Sequence, residues 1–531
     1  MKNSCSFLIS LFVFLFQSVY SQLPHAIEWQ KSFGGSNNDE ARSIQQTTDN
    51  GFIVAGFSSS NNDDVTGNHN DNDFWIVKLD ADGNLVWQKS LGGSASDQAY
   101  SIQQTTDGGY IVAGSSNSND GDVSGHHGSL SYTDYWVVRL DASGNLVWQK
   151  SLGGSNDELA SSVQQTADGG FIVAGDSWST DGDVTGHHGS TSYNDYWIVK
   201  LDAGGNLIWQ KSFGGSDFDF VHSVQQTNDG GFLNAGDTYS DDGDVSGNHG
   251  GFDYWIIKLD TAGNLTWQKS LGGSDADFAE SFQQTSNGGF IIGGISYSID
   301  GDVSGNHGGY DVWIVKLDAE GNLVWEKSFG GSNDDGATSL QLDNDGGFIV
   351  SGFSDSNDGD VSGNHDLDDY WIVKIDTAGN LTWQKSLGGS YNDEAHSIQQ
   401  TNDGGFIVAG NSYSDDGDVS GNHGGEDYWI FKLSSDTLSG IGNLPENEIL
   451  VYPNPVQNLL AIDLGNQINN PIISVYDLQG RKIECGMRTA DFGNKNSLQL
   501  STGNLPDGFY TLQIVDKNSG KTSFAKFVKS E

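Results

Sequence analysis

Short runs of alternating apolar and polar residues, broken by Gly, Asn and Asp, fill this chain from about residue 26 to residue 433. Residues 99 to 154 show the unit. "AYSIQQT" alternates, "TDGG" turns, and "YIVAGSS" alternates again. A long polar loop, "NSNDGDVSGHHGSLSYT", follows, and then "DYWVVRLD", a turn at "ASGN" and "LVWQKSLGG". The pattern predicts two tight hairpins, hence four strands per unit, named here a, b, c and d. In strand c, "DYWIVKLD" (195 to 202) puts Trp197, Val199 and Leu201 on one side and Tyr196 and Ile198 on the other. Apolar residues on both sides suit a sheet packed between two neighbours.

The unit recurs. A Trp-Gln/Glu-Lys-Ser phrase places Trp at 29, 87, 148, 209, 267, 325 and 383, with spacings of 58 or 61 residues. A period of that length predicts a radial or stacked repeat architecture. The first phrase, in Ala26 to Gly35, is a d strand with no a, b or c before it, and the last unit, Ser397 to Leu433, has no d. A ring closes if the first strand completes the last unit, which removes both raw sheet edges. An open solenoid would instead need differentiated capping units, and these units are uniform. The predicted fold is therefore all-β, a seven-bladed β-propeller over 22–439. A second Trp series, 75, 136, 197, 255, 313, 371 and 429, falls on strand c, and both series are expected to pack between blades.

The chain opens with Lys2, an apolar run from Phe7 to Phe16 and small residues near Ser21, which reads as a secretory signal over 1–21. The run is too short for a membrane span. Cys5 and Cys485 are the only cysteines, so the mature chain holds one thiol and no internal disulfide. The formal charge is −47, and it is uneven: residues 22–445 carry 15 Lys and Arg against 62 Asp and Glu, and residues 446–531 carry 8 against 9. Such a surface excludes nucleic acid and anionic membrane as partners and favours cations. Four of the six prolines lie beyond Pro445, so two domains are expected to meet through a linker at 440–448.

From Ile449 the chain reads "ILVYPNPVQNLLAIDL", "ISVYDLQGRKI" and "LPDGFYTLQIVDKNSGKTSFAKFVK". Short alternating strands with Gly and Asn turns predict a small β-sandwich over 449–531. The phrases resemble the C-terminal type A sorting domain of type IX (Por) secretion substrates. The match rests on Pro453, Asn454 and Pro455, on Gly480 and Arg481, on Gly508 and Tyr510, and on Lys526 and Lys529. The resemblance implies export through an outer-membrane translocon, with the type IX machinery as partner, and commonly removal of this domain at the cell surface. The repeats resemble propeller repeats of secreted and surface proteins, and "LDADGNLVWQKS" is similar to blades of quinoprotein-type propellers. That likeness speaks to fold, which does not fix function.

Candidate chemistry concentrates in the b–c loop, whose core reads "DGDVSGNHG" with small variations. Its acidic pairs are Asp120/Asp122, Asp181/Asp183, Asp242/Asp244, Asp300/Asp302, Asp358/Asp360 and Asp416/Asp418, with Asp63/Asp64 in the first unit. Two carboxylates flanking a Gly suit a hard cation such as calcium, although the spacing departs from an EF-hand loop. The same residues equally form turns by bonding their own backbone. One His per unit follows the pair, too dispersed for a zinc site, with the doublets His126/His127 and His187/His188 as exceptions. Tyr132 and Tyr193, in three-residue insertions, and Trp178, outside both Trp series, are the candidate ligand contacts on this face. Variable loops on a rigid scaffold are where recognition is usually placed.

No Gly-x-Ser-x-Gly elbow, phosphate loop or His-Glu-x-x-His motif is present. The sequence thus points to a secreted or surface binding or adhesion propeller, with an extracellular glycan or protein as ligand. Two alternatives stand beside it. One is an extracellular enzyme, a polysaccharide hydrolase or lyase or a quinoprotein-like oxidoreductase, with its site in the central funnel. The other is a structural component of the surface or matrix.

Overall fold

The computed structural model describes residues 26–435 continuously, and strands and short flanks between 450 and 529. The expected leader at 1–21 and linker at 440–448 lie outside the described residues. The chain divides into two compact units, Met1–Asp436 and Thr437–Glu531.

The first unit is seven four-stranded antiparallel sheets. Blade 1 runs through a (Asp39–Gln46), b (Phe52–Ser58), c (Asp73–Leu79) and d (Leu85–Leu91). Blades 2 to 6 repeat this order with a strands beginning at Asp97, Glu158, Asp219, Asp277 and Asp335. Blade 7 takes a (Asp393–Gln400), b (Phe406–Ser412) and c (Asp427–Leu433) from the end of the repeats, and its d strand is Ile27–Phe33. That strand pairs antiparallel with Asp427–Leu433, setting Lys31 opposite Ile430 and Ser32 opposite Trp429. The predicted clasp is present.

Strands b and c are buried throughout in most blades, whereas the d strand is only half-buried, because d forms the rim. The two faces of strand c enter different cores as its alternation predicts. Trp197, Val199 and Leu201 pack with Ile111, Tyr135 and Val137 of blade 2, and Tyr196 and Ile198 pack with Phe232 and Trp255 of blade 4. The same core joins blade 7 to blade 1, where Tyr428 and Ile430 meet Trp75 and Val77. At the axis, Ile102 N donates to Ser43 Oγ at 3.3 Å, and Ile44 N to Ser397 Oγ at 3.2 Å, so the ring is closed by hydrogen bonds from blade to blade.

The recurring phrase now has a physical reason. Each c-strand Trp is fully buried, and its indole N–H must find an acceptor there. The Gln after the d-strand Trp supplies it: Trp75 Nε1 donates to Gln88 Oε1 at 2.9 Å, and Trp429 Nε1 to Gln30 Oε1 at 2.9 Å across the clasp. The d-strand Trp lies over the c–d turn of the next blade. Gly83 has φ +77°, and a Cβ there would meet the Trp29 ring at 2.7 Å, so the turn admits only Gly.

The second unit is two four-stranded sheets whose facing side chains, among them Leu460, Ile462, Val475, Leu512 and Ile514, share one core. This is the expected small β-sandwich.

Candidate functional site

The b–c and d–a loops share one face, where the first Asp of each pair from Asp120 onward, and Asn62 in the first unit, ties them together. Asp120 Oδ1 accepts from Ser94 N at 2.7 Å and Oδ2 from Ser94 Oγ at 2.8 Å. Asp181, Asp242, Asp300, Asp358 and Asp416 bind the equivalent Ser N at 2.7–2.8 Å. The second Asp leans toward the neighbouring blade. Asp183 Oδ2 lies 3.7 Å from His127 Nε2, Asp244 Oδ2 3.6 Å from His188 Nε2, and Asp302 Oδ2 3.9 Å from His249 Nε2. Asp122, Asp360 and Asp418 hold the same place, their backbone N–H bonded to Gly92, Gly330 and Gly388. The two carboxylates of a pair therefore serve different partners. In Asp120, Asp300 and Asp416 the second oxygen also accepts from the Ser hydroxyl, and in Asp181, Asp242 and Asp358, among the described residues, the Ser N alone is bound. Among the described residues no three His, Cys, Asp or Glu side chains converge where a metal ion would be held.

The loop His holds the chain at the start of strand c. His69 Nδ1 is 2.7 Å from Asp73 Oδ2, and the other six pairs, through His423 and Asp427, span 2.6–3.0 Å. In the doublets, His126 and His187 also reach that Asp, at 3.7 and 3.6 Å. Burial pushes Asp73, Asp253, Asp311, Asp369 and Asp427 up to about 6.

Of the predicted ligand contacts, Tyr132 is exposed and Trp178 and Tyr193 are half-buried. The latter two begin an aromatic arc absent from the sequence expectations. Tyr193 meets Phe218 edge-on at 4.8 Å, Phe218 stacks on Phe220 at 5.7 Å, and Trp178 meets Phe220 at 6.2 Å. Phe252 continues it to Tyr239 and Phe278, and Tyr297 and Tyr310 carry it to Phe353. The arc spans blades 3 to 6.

The arc leads into the central funnel, a cavity of about 490 Å³. Its wall is the fourth residue of every a strand: Arg42, Tyr100, Ser161, His222, Glu280, Thr338 and His396. Two are His, and the rest are Arg, Tyr, Ser, Glu and Thr. The next residue along is Ser in all seven blades, from Ser43 to Ser397. The second a-strand position varies in the same way, as Glu40, Gln98, Leu159, Phe220, Phe278, Gly336 and Glu394. The repeat is thus constant where strands pack and where the Ser and the later Gln of each a strand line the narrower axial channel, from Ser43 and Gln45 to Ser397 and Gln399, and individual at the second and fourth a-strand positions. Comparing the seven copies position by position is the signal that would have found the site.

Two poles of charge follow. On blades 3 to 5, His222 Nε2 lies 2.9 Å from Asp237 Oδ1 and its Nδ1 4.0 Å from Glu280 Oε2, and Val221 N donates to Asp176 Oδ1 at 2.9 Å. Burial pushes Asp176 up to about 8 and Asp237 to about 6. Burial disfavours the His222 imidazolium, but Glu280, Asp237 and Asp176 outweigh it and raise the group to about 10. On blades 7 and 1, burial and then the Arg42 guanidinium hold His396 down to about 3, with its Nε2 2.5 Å from Asn411 Oδ1. Arg42 pairs with Glu40 and lies 5.5 Å over the Phe57 ring. One wall holds a charged imidazole and the other a neutral one.

In the second unit, Gly508, Tyr510, Lys526 and Lys529 lie on the last two strands, Gly508–Asp516 and Thr522–Lys529, where Tyr510 pairs with Phe527. Tyr510 and Lys529 are buried, and Arg481 precedes the strand Lys482–Ile483. Pro453, Asn454, Pro455 and Gly480 lie outside the described residues.

Residues 450–530 match the family model described as the secretion system C-terminal sorting domain. The regulatory protein FlaEY of Caulobacter vibrioides is 27% identical over 193 residues, 34% of this chain, and the chain spans only 20% of that protein. Among solved structures, puromycin hydrolase aligns with a TM-score of 0.42 at 11% identity, covering 84% of this chain and 62% of that one. PorZ, a surface component of the type IX secretion system of Porphyromonas gingivalis, aligns with a TM-score of 0.23 at 12% identity, covering 96% and 86%. Likeness this slight carries no activity across. What the chain shows by its own sheets and its own C-terminal domain is that it is a β-propeller protein with a type IX secretion sorting domain, addressed to the cell surface or the extracellular space.

Proposed function

We propose that the propeller is a binding module that takes its ligand in the central funnel, on the face shared by the b–c and d–a loops. The observation that carries this is the break in symmetry: seven near-identical blades present six different residue types at one position to one cavity of about 490 Å³. That volume lies within the range of small-ligand sites, roughly 300–1,000 Å³. Packing does not require such variety, since the neighbouring Ser repeats in all seven copies. Binding of an extracellular glycan or peptide by the purified chain, lost on Tyr100→Ala or Phe220→Ala and retained on changes in the a–b and c–d turns, tests the reading. Loss of binding from the turn changes alone would overturn it.

A second reading is an extracellular enzyme. One observation favours it, the set of Asp176, His222 and Glu280 on a single wall with Asp237 behind His222, where a protonated carboxyl at Asp176 stands near ionised groups as acid–base work requires. Turnover of a polysaccharide that Asp176→Asn abolishes while binding persists would establish it in place of the first.

A further inference from the structure

The distribution of basic residues around the funnel is as uneven as that of the aromatics. Of the 15 Lys and Arg in residues 22–445, seven stand on the d strands at the rim, from Lys31 to Lys385. Seven more stand at the sixth position of the c strands, from Lys78 to Lys432. Lys78, Arg139, Lys200 and Lys258 there pair with Asp49, Asp107, Asp168 and Asp229 of the a–b turns, on the opposite face. Only Arg42 stands on an a strand. Glu40, Glu394, Asp176 and Glu280 stand at the funnel with it, and Asp237 lies behind His222. Glu426 joins them at the start of the blade 7 c strand, taking hydrogen bonds from Tyr413 Oη at 3.0 Å and Asn38 Nδ2 at 3.2 Å. Even with His222 charged, carboxyl groups outnumber cations about three to one.

Aromatic faces stand beside this excess. Tyr239, Tyr297 and Tyr413 are 42–49% exposed at the mouth, and Phe218 and Phe220 stack within 10° of parallel. Ring faces next to carboxyl groups in excess of the cations that face them attract a cation with an apolar stem, through the ring quadrupole and the charge together. We infer that the funnel binds an organic cation, an alkylammonium or guanidinium group, whose stem lies on the aromatic arc and whose charge meets Glu394 and Glu426. This rests on the binding reading above. Sources of that chemistry are a free polyamine or a lysine or arginine side chain of a peptide.

The ionisation of the wall supplies a readout that diffuse attraction does not. Burial, and then Glu40, raise Glu426 to about 7, burial raises Glu394, and burial with Glu394, Asp355 and Asp334 raises Asp368 to about 6. Arg42, lying beside Glu394 and Glu426, pulls the other way and limits these shifts. An arriving cation stabilises the ionised forms, so binding expels protons and tightens between pH 6 and pH 8.

The test uses the full chain in calorimetry at 150 mM NaCl, with spermidine, an end-blocked pentalysine peptide, the same peptide fully acetylated on its side chains, and a neutral oligosaccharide as probes. Spermidine or pentalysine should bind, with an apparent enthalpy that depends on the buffer's own ionisation, and the acetylated peptide should bind at least tenfold more weakly. Preference between the two cations identifies the source. Glu394→Gln with Glu426→Gln should weaken binding tenfold or more, and Asp82→Asn with Glu320→Gln, exposed in the opposite c–d turns, should not. Should the Glu variant lower the melting temperature, Asp368→Asn serves as the second variant. Absence of cation binding, or equal loss from both double variants, overturns the proposal. Funnel-dependent binding of the neutral sugar that cations do not compete overturns it too, and leaves the binding reading standing.

Discussion

The hydroxyl of Tyr428 donates a hydrogen bond to the backbone carbonyl of Trp75 at 3.0 Å, joining the last blade to the first across 353 residues. Tyr135, Tyr196, Tyr254 and Tyr370 make the same bond to Trp197, Trp255, Trp313 and Trp429. The ring seam is therefore built like an interior junction. Blade 1 carries Phe74 at this position, so the site accommodates a phenyl ring. Tyr428→Phe should cost about 1 kcal/mol, the net worth of one buried hydrogen bond, as a shift in denaturant midpoint with unchanged slope. A loss of cooperativity instead would show the seam to be the ring's weak point.

Asn234 is fully buried in strand b of blade 4, where its counterparts are Val54, Val112, Val173, Ile292, Val350 and Val408. Neither atom of its amide reaches a partner among the described residues. Burying an unsatisfied polar group costs about 1–3 kcal/mol. Asn234→Val should stabilise the propeller by that amount in a denaturant titration, and a destabilised variant would mean the amide is satisfied after all.

Stability should rise as pH falls from 8 to about 5. Burial raises Asp97 to about 6 and Glu158 and Asp219 to about 7, and Asp73 and its counterparts behave alike. The folded state thus holds protons that the unfolded chain has released. Stability from these groups is full below about pH 4 and is lost as pH climbs through 6 to 7. His69, His188, His365 and His423, raised by their Asp partners against the effect of burial, lose theirs further up. Asp168 and Asp229 act oppositely: burial raises them, but Thr, backbone and Lys donors win and hold them near 2. Their contribution fades below about pH 4, and that of His396 fades from about 6.5 down. A melting temperature that peaks in mildly acid buffer is expected, and a peak above pH 8 would contradict it.

Because Asp120 accepts from both the backbone N–H and the hydroxyl of Ser94, Asp120→Ala should lower the melting temperature by freeing the d–a turn, and EGTA should leave it unchanged. A rise with millimolar calcium would return these loops to cation binding, since a ligand of the folded state alone stabilises it.

The scaffold was legible because its rules are local and repeated. Alternation located the strands, and the unmatched d strand near Trp29 located the clasp. The roles of Gln88 and Gln30 were not legible, since a polar residue on a rim strand reads as solvated until the buried indole behind it is seen. The residues that line the funnel were missed for a related reason. Reading the units for what they share averages away Arg42, His222 and His396, whose significance is that they differ. Acids counted per repeat look evenly spread, yet Asp176 and Glu280 meet on one wall, with Asp237 behind His222, because the ring turns separate b and a strands toward one axis.

The clasp also sets an order of events. Glu28 and its partner Lys432 are 404 residues apart. At the pace of synthesis, about 5–20 residues per second, the first strand made waits about 20–80 s for the edge it will cover. Until then Ile27–Phe33 is a loose end and blade 7 an open slot. Any second copy nearby offers the same strand to the same slot, so crowded, newly made chains can exchange ends into linked rings. Dilution, rather than a change of sequence, is what favours each chain closing on itself.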